Sequence, residues 1–421
     1  MSNSVSYLKY RDVADFRNGL NFSKDSHGKG CLLIGVADFK DYFSPKWASL
    51  GEINPFDVAK EEDYLKKGDI IFVRSNGNKA LVGRSLYIDR DVKSLFSGFC
   101  IRARPKTDDF HPLFLAYFSK TERFGSSINS VAGTNINNLN QNILGNVEIP
   151  FYSKGIQKSI VDVLSSIDKK IEINNRIKAE LESMAKTLYD YWFVQFDFPD
   201  ANGKPYKTSG GKMVYNATLK REIPVGWKVK KLADVTSVIR RGISPSYIEV
   251  GGISVINQKC VRDNKISFAD ARRHQTELDE QDERLLRPLD IVVNSTGVGT
   301  LGRVAFVKRL LDKKTTVDSH VSIVRANREC ISLHYLVWTM MRYQPVIEAA
   351  ANGSTGQVEL SKRFLEELDI VVSDKKFGDK FSILVEPIIK KMAIKEAEIE
   401  FLVNLRDWLL PLLMNGQVTV K

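Results

Sequence analysis

The chain of 421 residues holds only four cysteines, Cys31, Cys100, Cys260 and Cys330, and no two of them form a CxxC pair. With no histidine at a ligand interval either, that spacing excludes a zinc-ribbon site, and the four are expected as reduced, buried side chains. Histidine is scarce too: His27, His111, His274, His320 and His334 each stand alone, and no pairing of nucleophile with base emerges from them. His111 and His334 fall on apolar faces, where a satisfied core histidine is the expectation. No phosphate loop of the form GxxxxGK[ST] occurs, since Gly211-Lys212 is followed by Met213 and Tyr206 stands five before Gly211, which removes a motor role. No run approaches the roughly 18 apolar residues of a membrane span, and MSNSVSYLKYRD lacks the apolar core of a signal peptide. A cytoplasmic location with no membrane contact is therefore expected. Acidic residues are the minority charge, 51 Asp and Glu against 62 Lys and Arg, and the surplus of +11 would attract a polyanion or an acidic partner. A solvated basic surface would give the same balance. At 43% hydrophobic residues the chain is no candidate for disorder, and its length suits two or three domains with sizeable cores.

What the chain does have is a repetition. GTNINNLNQNILGNVEI at 133–149 returns without a gap as STGQVELSKRFLEELDI at 354–370, so that Thr134, Leu139, Leu144 and Ile149 recur as Thr355, Leu360, Leu365 and Ile370, an offset of 221 residues. A period this long lies far beyond solenoid repeats, so each copy is expected to be a domain with its own core. The earlier parts echo as well. YRDVADFRNG at 10–19 corresponds to LADVTSVIRRG at 232–242, and GCLLIGV at 30–36 to GGISVIN at 251–257, the second pair being strand-length apolar runs. GDIIFVRSNGNKALVGRSLYID at 68–89 and LDIVVNSTGVGTLGRVAFVK at 289–308 each read as two strands joined by a Gly-rich polar turn. FHPLFLAYF at 110–118 and SLHYLVWTMM at 332–341 have helical spacing. Each copy is thus α+β.

After each copy the apolar period changes to three and four. Ile160, Val163, Leu164, Ile167, Ile171, Ile177, Leu181, Met184 and Leu188 form one stripe, and the same register downstream gives Phe381, Leu384, Val385, Ile388, Met392, Leu402, Leu405 and Leu409, broken only at Glu398, beside which Ile399 can serve. Two long amphipathic helices are expected, with Ser153 and Asp374 as N-caps and with Pro387 starting or bending the second. A helix of roughly 35 residues spans about 50 Å, the length of a spacer. Two helices alike in length and register are better explained by packing on each other than by separate docking. FDFPDANGKPYKTSGGKMVYNATLKREIPVGW at 196–227, rich in Gly, Pro, Lys and Asn, reads as an ordered connector.

The duplicated plan, SMAKTLYDYWFVQFDFP at 183–199, IPVGWKVKKLADV at 223–235 and the closing LVNLRDWLLPLLMNG at 402–416 together carry a resemblance over the whole chain. It resembles the specificity subunit of type I restriction-modification systems. The resemblance implies two target-recognition domains, each reading one half of a split DNA sequence, and two long helices that pair antiparallel with pseudo-two-fold symmetry to fix the spacing. It implies double-stranded DNA, two methyltransferase subunits and motor-nuclease restriction subunits as partners in a prokaryotic cytoplasm. S-adenosylmethionine, and ATP with Mg, would belong to those partners, and no cofactor to this chain. The expected division is a first recognition domain at 1–152, a central helix at 153–195, a connector at 196–226, a second recognition domain at 227–373 and a C-terminal helix at 374–421.

DNA-reading candidates follow from side-chain chemistry, because Arg can bind guanine and Asn adenine through two hydrogen bonds, and glycine lets a backbone come close. The first hairpin offers Arg74, Ser75, Asn76, Lys79 and Arg84, and the second Asn294, Ser295, Thr296 and Arg303. Ordinary turn chemistry would use the same residue types. The loops at 133–138 and 353–359 add Asn135, Asn137 and Gln357, and early loops of the second copy add Arg240, Arg241, Gln258 and Lys259 as phosphate contacts. The hairpin turns differ between the copies, RSNGNKALVGR against NSTGVGTLGR, so different half-sites and an asymmetric target are expected. Aromatic anchors suit an interface. Tyr189, Tyr191, Trp192 and Phe193, with Trp408 and Leu409, are accordingly the partner-binding candidates, although packing of the helices on their own domains accounts for them equally.

Two other classes compete. A methyltransferase or nuclease with unrecognised motifs would need a cofactor or metal site; Ile53-Asn54-Pro55-Phe56 approaches the Asn-Pro-Pro-aromatic motif of adenine methyltransferases but lacks its second proline and any preceding Gly-rich loop, and reads as a turn. A structural adaptor would use both heads on protein and show no salt-dependent DNA binding.

Overall fold

The computed structural model describes residues 6–23, 26–40, 43–55, 58–132, 138–244, 246–275, 278–297, 299–310, 312–351 and 359–420. The chain divides into two compact units, residues 1–172 with 400–421, and residues 173–399.

In the first unit the strand Ile70–Val73 is apolar at every position because it lies inside a four-stranded antiparallel sheet covered on both faces. Successive side chains leave the sheet on opposite sides. Ile70 and Phe72 therefore join Ile101 and Ala103 in one core, while Ile71 and Val73 join Leu86, Ile88 and Cys100 in another. The order across the sheet is Ala14–Asn18, Cys100–Pro105, Ile70–Val73, Ser85–Tyr87. The strand His27–Ile34 pairs in parallel with Ser94–Phe96 at one side of this frame. The expected helix at the FHPLFLAYF segment runs Pro112–Phe118, with proline in its first turn and His111 as N-cap accepting from Leu113 N at 3.2 Å.

The second unit repeats the plan. Its sheet runs Thr236–Arg241, Val321–Ala326, Ile291–Asn294, Val304–Phe306, and Ile253–Ile256 pairs in parallel with Thr315–Val317. Alternation again feeds two cores, Ile291, Val293 and Phe306 into one and Val292, Ala305 and Ile323 into the other. The helix Leu333–Ala351 is a single element here, where the first unit has two, Pro112–Phe118 and Glu122–Ala132. The connector is ordered, as expected: Met213–Asn216 pairs with Arg221–Pro224, and Phe198 stacks between Trp227 at 5.2 Å and Tyr206 at 4.7 Å.

The long helices are Lys154–Tyr189 and Lys375–Met414, each beginning just after its expected cap residue. Asp374 Oδ1 accepts from Lys376 N at 3.1 Å. In the first unit the start of the first helix meets the end of the second: Ile160 and Leu164 share a core with Leu410, Leu413 and Met414, and Arg406 Nη1 donates to Asp168 Oδ1 at 3.0 Å. In the second unit the end of the first meets the start of the second, where Tyr189 and Phe193 lie 6.1 and 5.1 Å from Phe381. Start against end in both units makes the pairing antiparallel.

Three details of the helices depart from expectation. Met184 and Leu384 are exposed, and Ala185 and Asn174 are buried in their stead, because the contact line drifts around a 3.6-residue helix relative to a fixed spacing. Pro387 neither starts nor interrupts the second helix, which runs continuously through it. The proline sits on the exposed side, and the carbonyl it leaves without a donor belongs to the exposed Ile383, where water can serve.

Candidate nucleic-acid interface

Each unit builds a turn at the open end of its strand pair, and the two turns are framed by the same backbone bonds. In the first, Val73 N donates to Arg84 O at 2.8 Å and Leu139 N to Arg74 O at 2.8 Å. In the second, Asn294 N donates to Arg303 O at 2.9 Å and Leu360 N to Ser295 O at 2.8 Å. Bridges Ser75 to Asn138 and Thr296 to Glu359 repeat at the 221-residue offset. The ends of the loops at 133–138 and 353–359 are thereby tied to the hairpin turns. Asn135, Asn137 and Gln357 themselves lie outside the described residues.

In the first turn Asn76 Oδ1 accepts from Asn78 N at 2.7 Å and Asn78 Oδ1 from Ala80 N at 3.1 Å, which caps a short 3-10 turn, Lys79–Leu81. Lys79 is exposed there, and Arg74, Ser75, Asn76 and Arg84 are half-buried around it. One side of Asn76 is thus committed to the turn.

The second turn is closed more tightly. Gly297 has φ of 100°, and a Cβ there would sit 2.3 Å from Gln258 Oε1, so only glycine fits. Gln258 and Thr296 approach at 3.5 Å, and Thr296 Oγ1 bonds His320 Nδ1 at 2.8 Å. Arg303 Nη2 donates to Gly299 O at 2.8 Å, and Lys259 stands exposed beside them. Two candidates are corrected: Asn294 and Ser295 are fully buried. Asn294 Nδ2 donates to Gln258 O at 2.9 Å and Ser295 Oγ bonds Ser322 Oγ at 2.6 Å, so both hold the turn and present nothing to a base. Arg241 is also structural, since it donates to Leu360 O at 3.0 Å and pairs with Glu359. Arg240 is exposed and pairs with Glu283 at 3.5 Å, repeating the Arg17–Glu62 pair of the first unit at 2.9 Å.

The partner-binding candidates divide by burial. Tyr189, Trp192 and Phe193 fill the core of the second unit with Phe381 and Tyr335, which corrects their assignment as anchors. An aromatic cluster around the end of the first helix satisfies itself before any partner arrives. Leu409 packs on the first unit's core, and Tyr191 and Trp408 remain 37% and 63% exposed.

Sequence reasoning passed over two positions beside the turns. Phe99 O accepts from Arg74 N at 2.8 Å, and His320 O accepts from Ser295 N at 2.9 Å, so the residues are counterparts. Placing SGFCIRARP at 97–105 over DSHVSIVRA at 318–326 would have revealed it.

Burial pushes the Cys31, Cys100 and Cys260 thiols up to about 11, 12 and 11, which leaves them inert. Among the described residues no group of three or more His, Cys, Asp and Glu could hold a metal ion, and no helix is long and apolar enough to cross a membrane.

Duplicated α+β heads with one frame and two sets of turn side chains, each packed on antiparallel helix segments, define a tandem recognition protein. Residues 5–183 match the family model described as the type I restriction modification DNA specificity domain. The chain is 25% identical to the type I restriction enzyme MjaIX specificity subunit of Methanocaldococcus jannaschii, covering 98% of this chain and 93% of that one. It is 23% identical to the HindI specificity subunit of Haemophilus influenzae, covering 84% and 87%. The crystal structure of a type I restriction-modification system S subunit from M. genitalium shares the fold, with a TM-score of 0.61 at 14% identity over 98% of this chain and 97% of that one. Residues 5–183 thus match a DNA specificity domain, and the chain along nearly its whole length is similar to specificity subunits of type I restriction-modification systems.

Proposed function

We propose that the chain reads an asymmetric, two-part target on double-stranded DNA, one half with residues 1–152 and the other with residues 227–373. In this reading the helices at 153–195 and 374–421, joined through the connector at 196–226, carry two methyltransferase subunits, to which motor-nuclease restriction subunits add. S-adenosylmethionine, and ATP with Mg, are then held by those partners. The observation that supports this best is the pair of turns: one frame of backbone bonds, repeated at 221 residues except where the shorter second turn puts Arg303 in the place of Arg84, with different side chains on it. A common frame favours a common way of docking on the duplex, and different side chains favour different bases. Lys79, Arg74, Arg84 and Asn76 are the first head's contacts in this reading, and Gln258, Lys259, Thr296 and Arg303 the second's. The surplus of +11 favours attraction to phosphates, and exposed Tyr191 and Trp408 are the aromatic groups available to partners.

Co-expression with its methyltransferase subunit, followed by sequencing of host DNA for modified adenines, tests the reading. A gapped motif with unlike halves supports it; an ungapped or palindromic motif refutes it. Transplanting residues 1–150 from a relative changes one half only. Modification or cleavage of DNA by the purified chain alone would make it an enzyme instead.

A further inference from the structure

Phe99 is a large apolar side chain left 58% exposed, and it enters no hydrophobic cluster of its unit among the described residues. A single exposed apolar residue needs no explanation by itself. This one is held at the edge of the first head's turn, because its carbonyl accepts from both Arg74 N at 2.8 Å and Ser75 N at 3.3 Å, and Ser97 Oγ accepts from its amide at 3.3 Å. The backbone of Phe99 is thus tied to the turn at Arg74 and Ser75, while its side chain is left largely exposed.

The same backbone position in the second head is His320, which accepts from Ser295 N at 2.9 Å. Its own amide donates to Asp318 Oδ1 at 2.9 Å, and that carboxylate is fixed by Tyr247 Oη donating to Oδ2 at 2.8 Å. The imidazole is oriented too, since Nδ1 bonds Thr296 Oγ1 at 2.8 Å. Among the described residues Nε2 makes no bond within the chain, so the ring is positioned by one nitrogen and offers the other.

We propose that Phe99 and His320 are base-discriminating residues, one for each head. Phe99 makes apolar contact with the methyl group of a thymine, and His320 hydrogen-bonds a purine edge through Nε2. Both contacts belong to the vocabulary of major-groove reading, in which the thymine methyl and the purine N7 and O6 are the features that differ between base pairs. The two heads then differ in kind at one equivalent position, an apolar reader against a hydrogen-bonding one. This inference rests on the proposed reading of DNA and names two side chains that would perform it.

The test uses the full chain with its methyltransferase subunit. Affinity is measured on the wild-type target and on duplexes altered one base pair at a time in each half. Phe99→Ala is expected to lose about tenfold in discrimination at one position of one half, the scale of a single mismatched pair, and to leave the other half and non-specific binding unchanged. His320→Asn keeps a partner for Thr296 and removes the Nε2 edge, so discrimination in the second half falls. His320→Gln reaches where Nε2 stood and restores part of it, which a merely structural histidine would not do. Unchanged discrimination in Phe99→Ala and His320→Asn overturns the proposal, as does a loss spread evenly over both halves. A wild-type complex without specific, salt-dependent DNA binding overturns the DNA reading itself, an outcome visible before any variant is made.

Discussion

Arg325 grips Asp290 through two parallel hydrogen bonds, Nε to Oδ1 at 2.8 Å and Nη2 to Oδ2 at 2.6 Å, in the interior of the second unit. The same Nη2 donates to Leu285 O at 2.7 Å, and Arg287 N donates to Asp290 Oδ2 at 2.7 Å. The first unit holds Arg104 on Asp69 in the same way, at 2.7 Å for both bonds, with Tyr64 O and Lys66 N in the matching places. Each arginine stands on the strand next to the central one, and each aspartate just before the central strand, so the pair pins the frame that carries the reading turn. The bond geometry is bidentate, and further bonds to a backbone carbonyl and from a backbone amide support each pair, which helps a buried pair to hold.

Asp290→Ala should destabilise the second unit by roughly 3–5 kcal/mol, because it leaves a buried guanidinium unpaired. Replacing both partners, Asp290→Leu with Arg325→Met, should recover most of that loss. Asp69→Ala should cost less, since the Arg104 side chain is 25% exposed against 9% for Arg325. Denaturant unfolding checks all three, and equal losses for Asp290→Ala and Asp69→Ala would contradict the ranking.

Gly242 has no room for a side chain: a Cβ would lie 1.7 Å from Val317 O, and Gly19 in the first unit would bring one to 2.2 Å of Ser97 O. Here the strand leaves the sheet against a neighbouring segment, bridging Ile243 to Asp318 and Leu20 to Ser97. Gly242→Ala should lower stability by more than about 2 kcal/mol, since backbone must move. A melting temperature within a degree or so of wild type would show that the contact yields.

Trp192→Ala and Phe193→Ala should each cost about 3–5 kcal/mol, as truncations in a filled core. Any loss of co-purifying methyltransferase would then follow unfolding. Trp408→Ala should leave the melting temperature unchanged and weaken partner binding, and the two measurements on one sample separate the roles. Partner binding by Trp408→Ala at wild-type strength would remove that residue from the interface.

Burial holds His111 and His334 below the ordinary histidine value near 6.5, and His111 Nδ1 serves as an acceptor, which requires it unprotonated. The unfolded chain takes up a proton near pH 6.5 and the folded chain resists it. Stability is therefore at its full value above that pH and falls as the pH drops through and below it. Melting temperatures from pH 8 to 5 should decline below about 6.5, and His111→Asn, which keeps a cap acceptor, should flatten the decline. An unaltered slope in His111→Asn would assign the acid sensitivity elsewhere.

The sequence alone determined the elements, the duplication and the two long helices, because each has a short-range signature. Ile70–Val73 and Ile291–Asn294 are unbroken apolar runs of strand length, the helix stripes keep a spacing of three and four, and the 221-residue offset needs only comparison of the chain with itself. Residue type also made Lys79, Gln258 and Thr296 visible, since exposed amides, hydroxyls and amines near a glycine are turn chemistry and reading chemistry alike. What those residues do with their polar atoms was not visible. Asn76 commits its Oδ1 and Asn294 its Nδ2 to the frame, Ser295 and Arg241 bond within it as well, and Tyr189, Trp192 and Phe193 spend their area on a core. Only tertiary structure decided this, because hydrogen-bond partners and burial come from chain segments tens to hundreds of residues away. The same distance hid Phe99 and His320 beside the turns, where Arg74 and Ser295 bring them.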